Sequence, residues 1–202
     1  KAAELLTKRG YTVERFAVPE QRVRDYGMVS VTNLIVRHKF GNGGPTIALN
    51  AHGDVVPPGD GWSFDPYGGE VKDGRMYGRG VAVSKSDIAS FTFALDALKA
   101  AEKSGAKLNG TVELHFTYDE EFGGLVGPGY LLEQKATKPD FVIGASFSYA
   151  IVTAHNGCLQ FEVTVHGTAT HGSMPETGHD ALQAANAILN AIYGKLPDLG
   201  KI

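Results

Sequence analysis

The chain has 202 residues, of which 43% are hydrophobic and 20% charged, with a formal net charge of -3. That length and composition support one sizeable core and part of another, and exclude an intrinsically disordered chain. Slight acidity without Lys/Arg clusters excludes the electrostatic footprint of a nucleic-acid or anionic-membrane binder, so small polar molecules are the expected partners.

No run approaches the roughly 18 consecutive apolar residues of a membrane span, and no signal-peptide apolar region is read. Cys158 is the only cysteine, which excludes an intramolecular disulfide. It is expected as a core thiol inside a strand, and the location as cytoplasmic.

Lys1 to Gly10 read as the end of a helix, with Ala2, Ala3, Leu5 and Leu6 apolar, Lys8 and Arg9 following, and Gly10 as the stop. Further sequence is therefore expected upstream. Thr46 to Asn50, Thr111 to Tyr118 and Phe141 to Ile143 read as strands, the first and third apolar enough to lie in a sheet covered on both faces. Between the first two, Ile88, Phe91, Ala94, Leu95, Leu98 and Ala101 recur at helical spacing before Gly105. A short helix opens at Pro128. The alternation predicts an α/β fold, a mostly parallel sheet with flanking helices, whose ligands bind outside the carboxyl ends of the strands.

After Asn156-Gly157 the pattern changes. Leu159, Phe161, Val163 and Val165 alternate with polar residues, as in a strand with one solvated face. A helix then runs through Ala181, Leu182, Ala185, Ile188, Leu189 and Ile192, with Asp180 near its positive end and Gly194 as its stop. One strand and one helix cannot close a core. The reading is an incomplete α/β domain over residues 1–156 and the start of an α+β domain over 157–202.

Two acidic units stand at strand ends, His52-Gly53-Asp54 and Glu120-Glu121. An imidazole nitrogen and a carboxylate can ligate a divalent ion, another carboxylate can take a proton from its water, and a third can hold the imidazole tautomer. Each unit alone is also compatible with an ordinary polar turn, and Asp119 beside Glu120-Glu121 gives that cluster the character of solvated surface. Three adjacent acids, however, repel one another without a cation. Together the units predict a metal-assisted hydrolase.

The stretch Leu49 to Pro57, with Trp62, Pro66 and Asp73 to Gly80, resembles the first signature of the M20 metallopeptidase family, the aminoacylase, acetylornithine deacetylase, succinyl-diaminopimelate desuccinylase and carboxypeptidase G2 group. Thr117 to Gly124 resembles the second signature. Gly167, His171, Pro175, Gly178, Asp180 and Ala181 resemble the entry to that family's dimerisation or lid domain. The resemblance implies a homodimeric hydrolase of an amide C–N bond in a small carboxylate-bearing substrate. It further implies His52 and Glu121 as metal ligands, Asp54 as the orienter of His52, and Glu120 as general base on metal-bound water. His171 would stabilise the oxyanion across the dimer.

Two positions depart from the family pattern. Val83 stands where the family places a metal-bridging Asp, and Ala145 where it usually places an acidic ligand. The expectation is therefore one divalent ion, zinc first with manganese or cobalt as alternatives. The family's last ligand, a His, is expected beyond Ile202, so these residues by themselves should not hydrolyse a substrate. Loss of both carboxylates also motivates a rival, a relative that has given up hydrolysis for a binding or structural role.

Asp87 is too far displaced to replace the bridge, since one helical turn is a shift of about 5.4 Å. Ser84 and Asp87 are read instead as a capping box. His155 is a lesser site candidate, and His115 a packed or surface side chain. Lys85-Ser86 before a helix suggests a phosphate loop, but Ser84 and Arg79 replace the glycines such a loop needs.

Overall fold

The computed structural model describes residues 1–146, 150–154 and 161–195. The chain divides into two compact units, Lys1–Ile151 and Val152–Ile202. Cys158 and His155 lie outside the described residues, as do Leu159 and Gln160 of the expected lid strand.

The first unit contains α1 (Ala2–Lys8), β1 (Glu14–Ala17), α2 (Glu20–Asp25), β2 (Thr32–Phe40), β3 (Thr46–His52), β4 (Glu70–Lys72), β5 (Arg75–Tyr77), α3 (Lys85–Lys103), β6 (Gly110–Thr117), α4 (Pro128–Glu133) and β7 (Phe141–Gly144). Five strands form one sheet in the order β1-β2-β6-β3-β7. β3 is parallel to both β6 and β7, whereas β2 runs antiparallel to β6 and β1 antiparallel to β2. The parallel centre follows from the crossover, because α3 carries the chain back between β3 and β6. α3 ends at Lys103 with Ser104 as its C-cap, and Gly105 beyond it takes a φ of 98°. Asp73 and Gly74, both at positive φ, turn the β4–β5 hairpin.

The core joins Leu34 and Val36 of β2, Leu49 and Ala51 of β3, Leu114 and Phe116 of β6, Leu95 of α3, and Ala3 and Leu6 of α1. Each fully buried Leu or Phe contributes about 1.5–3 kcal/mol. A second cluster joins Val18, Val23, Val31 and Val126.

Several expectations are corrected. β2, which is not among the expected strands, lies inside the sheet, with Asn33, Leu34, Ile35 and Val36 all buried. β7 is an end strand, and its Phe141, Val142 and Ile143 are 53–62% exposed, so it is not covered on both faces among the described residues. Ser84 does occupy the N-cap of α3 but makes no side-chain cap bond, so the Ser84–Asp87 capping box is absent. Its hydroxyl instead accepts the His52 N–H at 3.3 Å, and Asp87 Oδ2 is buried without a hydrogen-bond partner.

Glu113 and His115 share one face of β6 and are both buried. Glu113 accepts from Arg37 Nε and His115 Nε2, each at 2.7 Å, and from the Thr137 hydroxyl. Arg37 also reaches Glu14 and the Ala136 carbonyl, so one ion network ties β1, β2, β6 and the segment after α4. Burial pushes Glu113 up, but its hydrogen bonds from Thr137, Arg37 and His115 outweigh this and hold it below its ordinary value. Burial dominates for His115 and pushes it below 6.5 despite Glu113.

Both folded values are depressed. Their stability contribution is therefore complete above the unfolded values and falls as protons are taken up below them. Thermal melts should lose stability as pH falls below about 6.5 through His115, and again below about 4.5 through Glu113. His115→Gln should flatten the upper part of that slope. An unchanged slope in this variant would place the responsible group elsewhere.

In the second unit, residues 161–165 form no strand. A strand needs a hydrogen-bonded neighbour, and among the described residues none pairs with this segment. Thr168 and His179 form an isolated antiparallel bridge, and α5 spans Ala181–Lys195. Asp180 Oδ1 caps it, accepting the N–H groups of Leu182 and Gln183 at 2.8 and 3.2 Å. Gly194 lies within α5 and does not stop it. Glycine in a helix costs only about 1 kcal/mol relative to alanine, which its neighbours override. Among the described residues no helix is long and apolar enough to cross a membrane.

Candidate metal centre

Strand register brings the two acidic units together. His52 is the last residue of β3 and pairs with Thr117, the last of β6. Gly53 N–H continues the pairing to the Thr117 carbonyl at 2.8 Å. Tyr118 packs so closely over Gly53 that a Cβ there would lie 2.3 Å from its ring, which explains a glycine between His52 and Asp54. Beyond Asp119, Glu120–Phe122 form a single 3-10 turn closed by a left-handed Gly123. The turn swings Glu120 and Glu121 back over the end of β3.

One ligand atom each from His52, Glu120 and Glu121 lies within 4.8 Å of the others. His52 is only 7% exposed, and its Nδ1 lies 3.0 Å from the Asp54 carbonyl oxygen and 3.4 Å from Asp54 Oδ1. Both are acceptors, so the neutral ring carries its proton on Nδ1. Nε2 then presents a lone pair to Glu120 Oε2 at 3.8 Å. Two acceptors facing each other favour a cation between them, and one nitrogen with two carboxylates suits a divalent ion. Asp54 also accepts the Glu121 N–H through Oδ2 at 3.0 Å, so it touches both units.

Lys85, an exposed residue at the start of α3, has its pKa lowered by desolvation of its amine, with Asp54 opposing the shift. Ser86 donates its hydroxyl to the Ala82 carbonyl, so the hydroxyl of the Lys85-Ser86 pair is engaged within the protein. Asp119 is 1% exposed, contrary to its reading as solvated surface. Burial holds its carboxyl above the ordinary value, only partly offset by the Val126 and Gly127 amides.

His171 is exposed in the second unit. Its Nδ1 accepts the Ser173 N–H at 3.2 Å, which places the proton on Nε2.

A family model described as Peptidase family M20/M25/M40 matches residues 48–200. The chain belongs to this family. Succinyl-diaminopimelate desuccinylase of Gluconobacter oxydans (strain 621H) is 30% identical over 200 residues, 95% of this chain and 50% of that protein. The enzyme of the same description from Sulfurimonas denitrificans is 36% identical over 155 residues, 72% of this chain and 40% of that protein. The chain thus spans about half the length of the curated relatives it matches. Human carnosine dipeptidase 1 shares the fold, with a TM-score of 0.57 at 23% identity over 71% of this chain and 31% of that one.

Against the family pattern, Val83 lines a cavity of about 300 Å³ with Val55, Val56, Val81, Arg79 and Glu121. Ala145 follows β7, donates its N–H to the Asn50 carbonyl at 2.8 Å, and packs on the core. Neither side chain can bind a metal. The contacts of Ser84 and Asp119 have no local signature in the sequence, because the partner of Ser84 lies on β3 and Val126, the partner of Asp119, lies across its own loop.

Proposed function

We propose that the whole protein is a metal-dependent hydrolase of amide C–N bonds in small, carboxylate-bearing substrates, acting in the cytoplasm as a homodimer. The observation that carries this reading is the convergence of His52, Glu120 and Glu121 at adjacent strand ends, with His52 Nε2 left as an acceptor. His52 and Glu121 would hold one divalent ion, zinc first. Bound there, such an ion would polarise the substrate carbonyl and make water more acidic.

Glu120, whose side chain is 61% exposed, can accept a proton from the attacking water and pass it to the departing amine. Asp54 keeps the His52 tautomer that leaves Nε2 free. His171, with its proton on Nε2, would donate to the developing oxyanion in the dimer. Residues 1–156 would belong to the catalytic domain and 157–202 begin the lid. The names of the relatives, desuccinylases and a dipeptidase, support an amide substrate.

Val83 and Ala145 favour a second reading, a relative that binds without hydrolysis. Metal analysis of full-length protein separates the two. One ion per subunit and metal-dependent turnover of N-acyl amino acids or dipeptides are expected, and an ion-free, inactive protein would sink the hydrolase reading. Two dications a few ångströms apart repel strongly without an anion between them. The double substitution Val83→Asp with Ala145→Glu should accordingly raise the count from one ion to two. An unchanged count would mean that more than these carboxylates separates this site from its relatives.

A further inference from the structure

Glu120 and Glu121 sit on an exposed turn, yet the backbone on both sides of it is anchored in the interior. Upstream, Asp119 is 1% exposed, and its carbonyl accepts the Phe122 and Gly124 N–H groups at 3.1 and 3.0 Å. Its carboxylate reaches across the loop, where Oδ2 accepts the Val126 N–H at 2.6 Å. Oδ1 approaches Gly127 so closely that a Cβ there would lie 1.9 Å away, so the contact requires glycine. From the opposite side Asn33 of β2, 0% exposed, donates Nδ2 to the Val126 carbonyl at 2.8 Å and to that of Gly127 at 3.4 Å. Val126 itself is buried in the second core cluster.

We propose that Asp119 and Asn33 are positioning residues, a buried polar clamp on the Val126–Gly127 backbone that sets the turn carrying Glu120 and Glu121. Neither touches an ion or substrate. The clamp acts by closing the 119–127 loop at its base, so that two acids with exposed side chains meet His52 in one geometry. A buried carboxylate suits this task because it only accepts, and a buried amide supplies the donor that the facing carbonyls require. This inference rests on the reading of His52, Glu120 and Glu121 as a metal centre.

The test is a cobalt(II) titration of the full chain, read by visible absorption, for wild type, Asp119→Asn, Asn33→Ala and the core control Leu6→Ala. Circular dichroism identifies a temperature at which each is folded. Loss of outer contacts around a metal site weakens affinity roughly 10–100-fold. A loss of that size is expected for both clamp variants, with an altered absorption spectrum, while Leu6→Ala keeps wild-type affinity despite its lower melting temperature. A purely structural clamp would leave folded variants with wild-type affinity and spectrum, and that result overturns the proposal. Should Asp119→Asn fail to fold, Asn33→Ala decides by the same criterion. Wild type that binds no cobalt would instead overturn the metal centre itself.

Discussion

Replacing Glu120 by Gln in the whole protein should lower kcat by roughly 10²–10⁴, the contribution of a positioned general base. The substitution preserves shape but removes the group able to take a proton, and the Asp54 contacts to His52 and Glu121 do not involve the Glu120 side chain. KM should therefore change little, and the metal content should survive. The metal measurement matters because Glu120 Oε2 stands 3.8 Å from His52 Nε2, close enough for ligand and base roles to be confused. A variant that loses its ion together with its activity would make Glu120 a ligand. Unchanged kcat would make it a surface acid and move the base elsewhere.

Glu113→Ala should cost about 3 kcal/mol of folding stability, the lower end for removing one partner of a buried ion pair. The loss leaves Arg37, His115 and Thr137 without their shared acceptor, in a site where the Glu113 side chain is 7% exposed. Arg37 is 29% exposed and keeps Glu14, which holds the cost below that of an isolated buried cation. Denaturant unfolding measures it. A change under about 1 kcal/mol would show that water replaces the carboxylate and that the network contributes little. Because the network lies on β6 away from the metal cluster, cobalt affinity in the folded variant should be close to wild type.

The locations of the two acidic units were legible because strand and helix signals are local. An apolar run ending at His52, another ending before Asp119, and a 3.6-residue stripe between them suffice to place both units at the carboxyl ends of strands in a mostly parallel sheet. That the two strands are neighbours is decided by the sheet order. Pro128 and Asp180 announced their helices for the same reason, since a first-turn proline and a capping carboxylate act within a turn of where they stand. Family motifs extended that reading to His171 and to the departures at Val83 and Ala145.

Only the tertiary structure decided which polar residues face inward. Asp119 stands in a run of acids typical of surface and is nevertheless buried, because Val126 and Gly127, distant in the loop, supply its amide partner and its close contact. Ser84 has the spacing of a capping residue and turns instead to the end of β3. The alternating segment 161–165 has the period of a strand but no neighbour to pair with among the described residues. Period and capping chemistry act over three or four residues. The sheet neighbour of a strand and the partner of a buried carboxylate are chosen by contacts beyond that range, where the cost of leaving a buried polar group unpaired outweighs local preference.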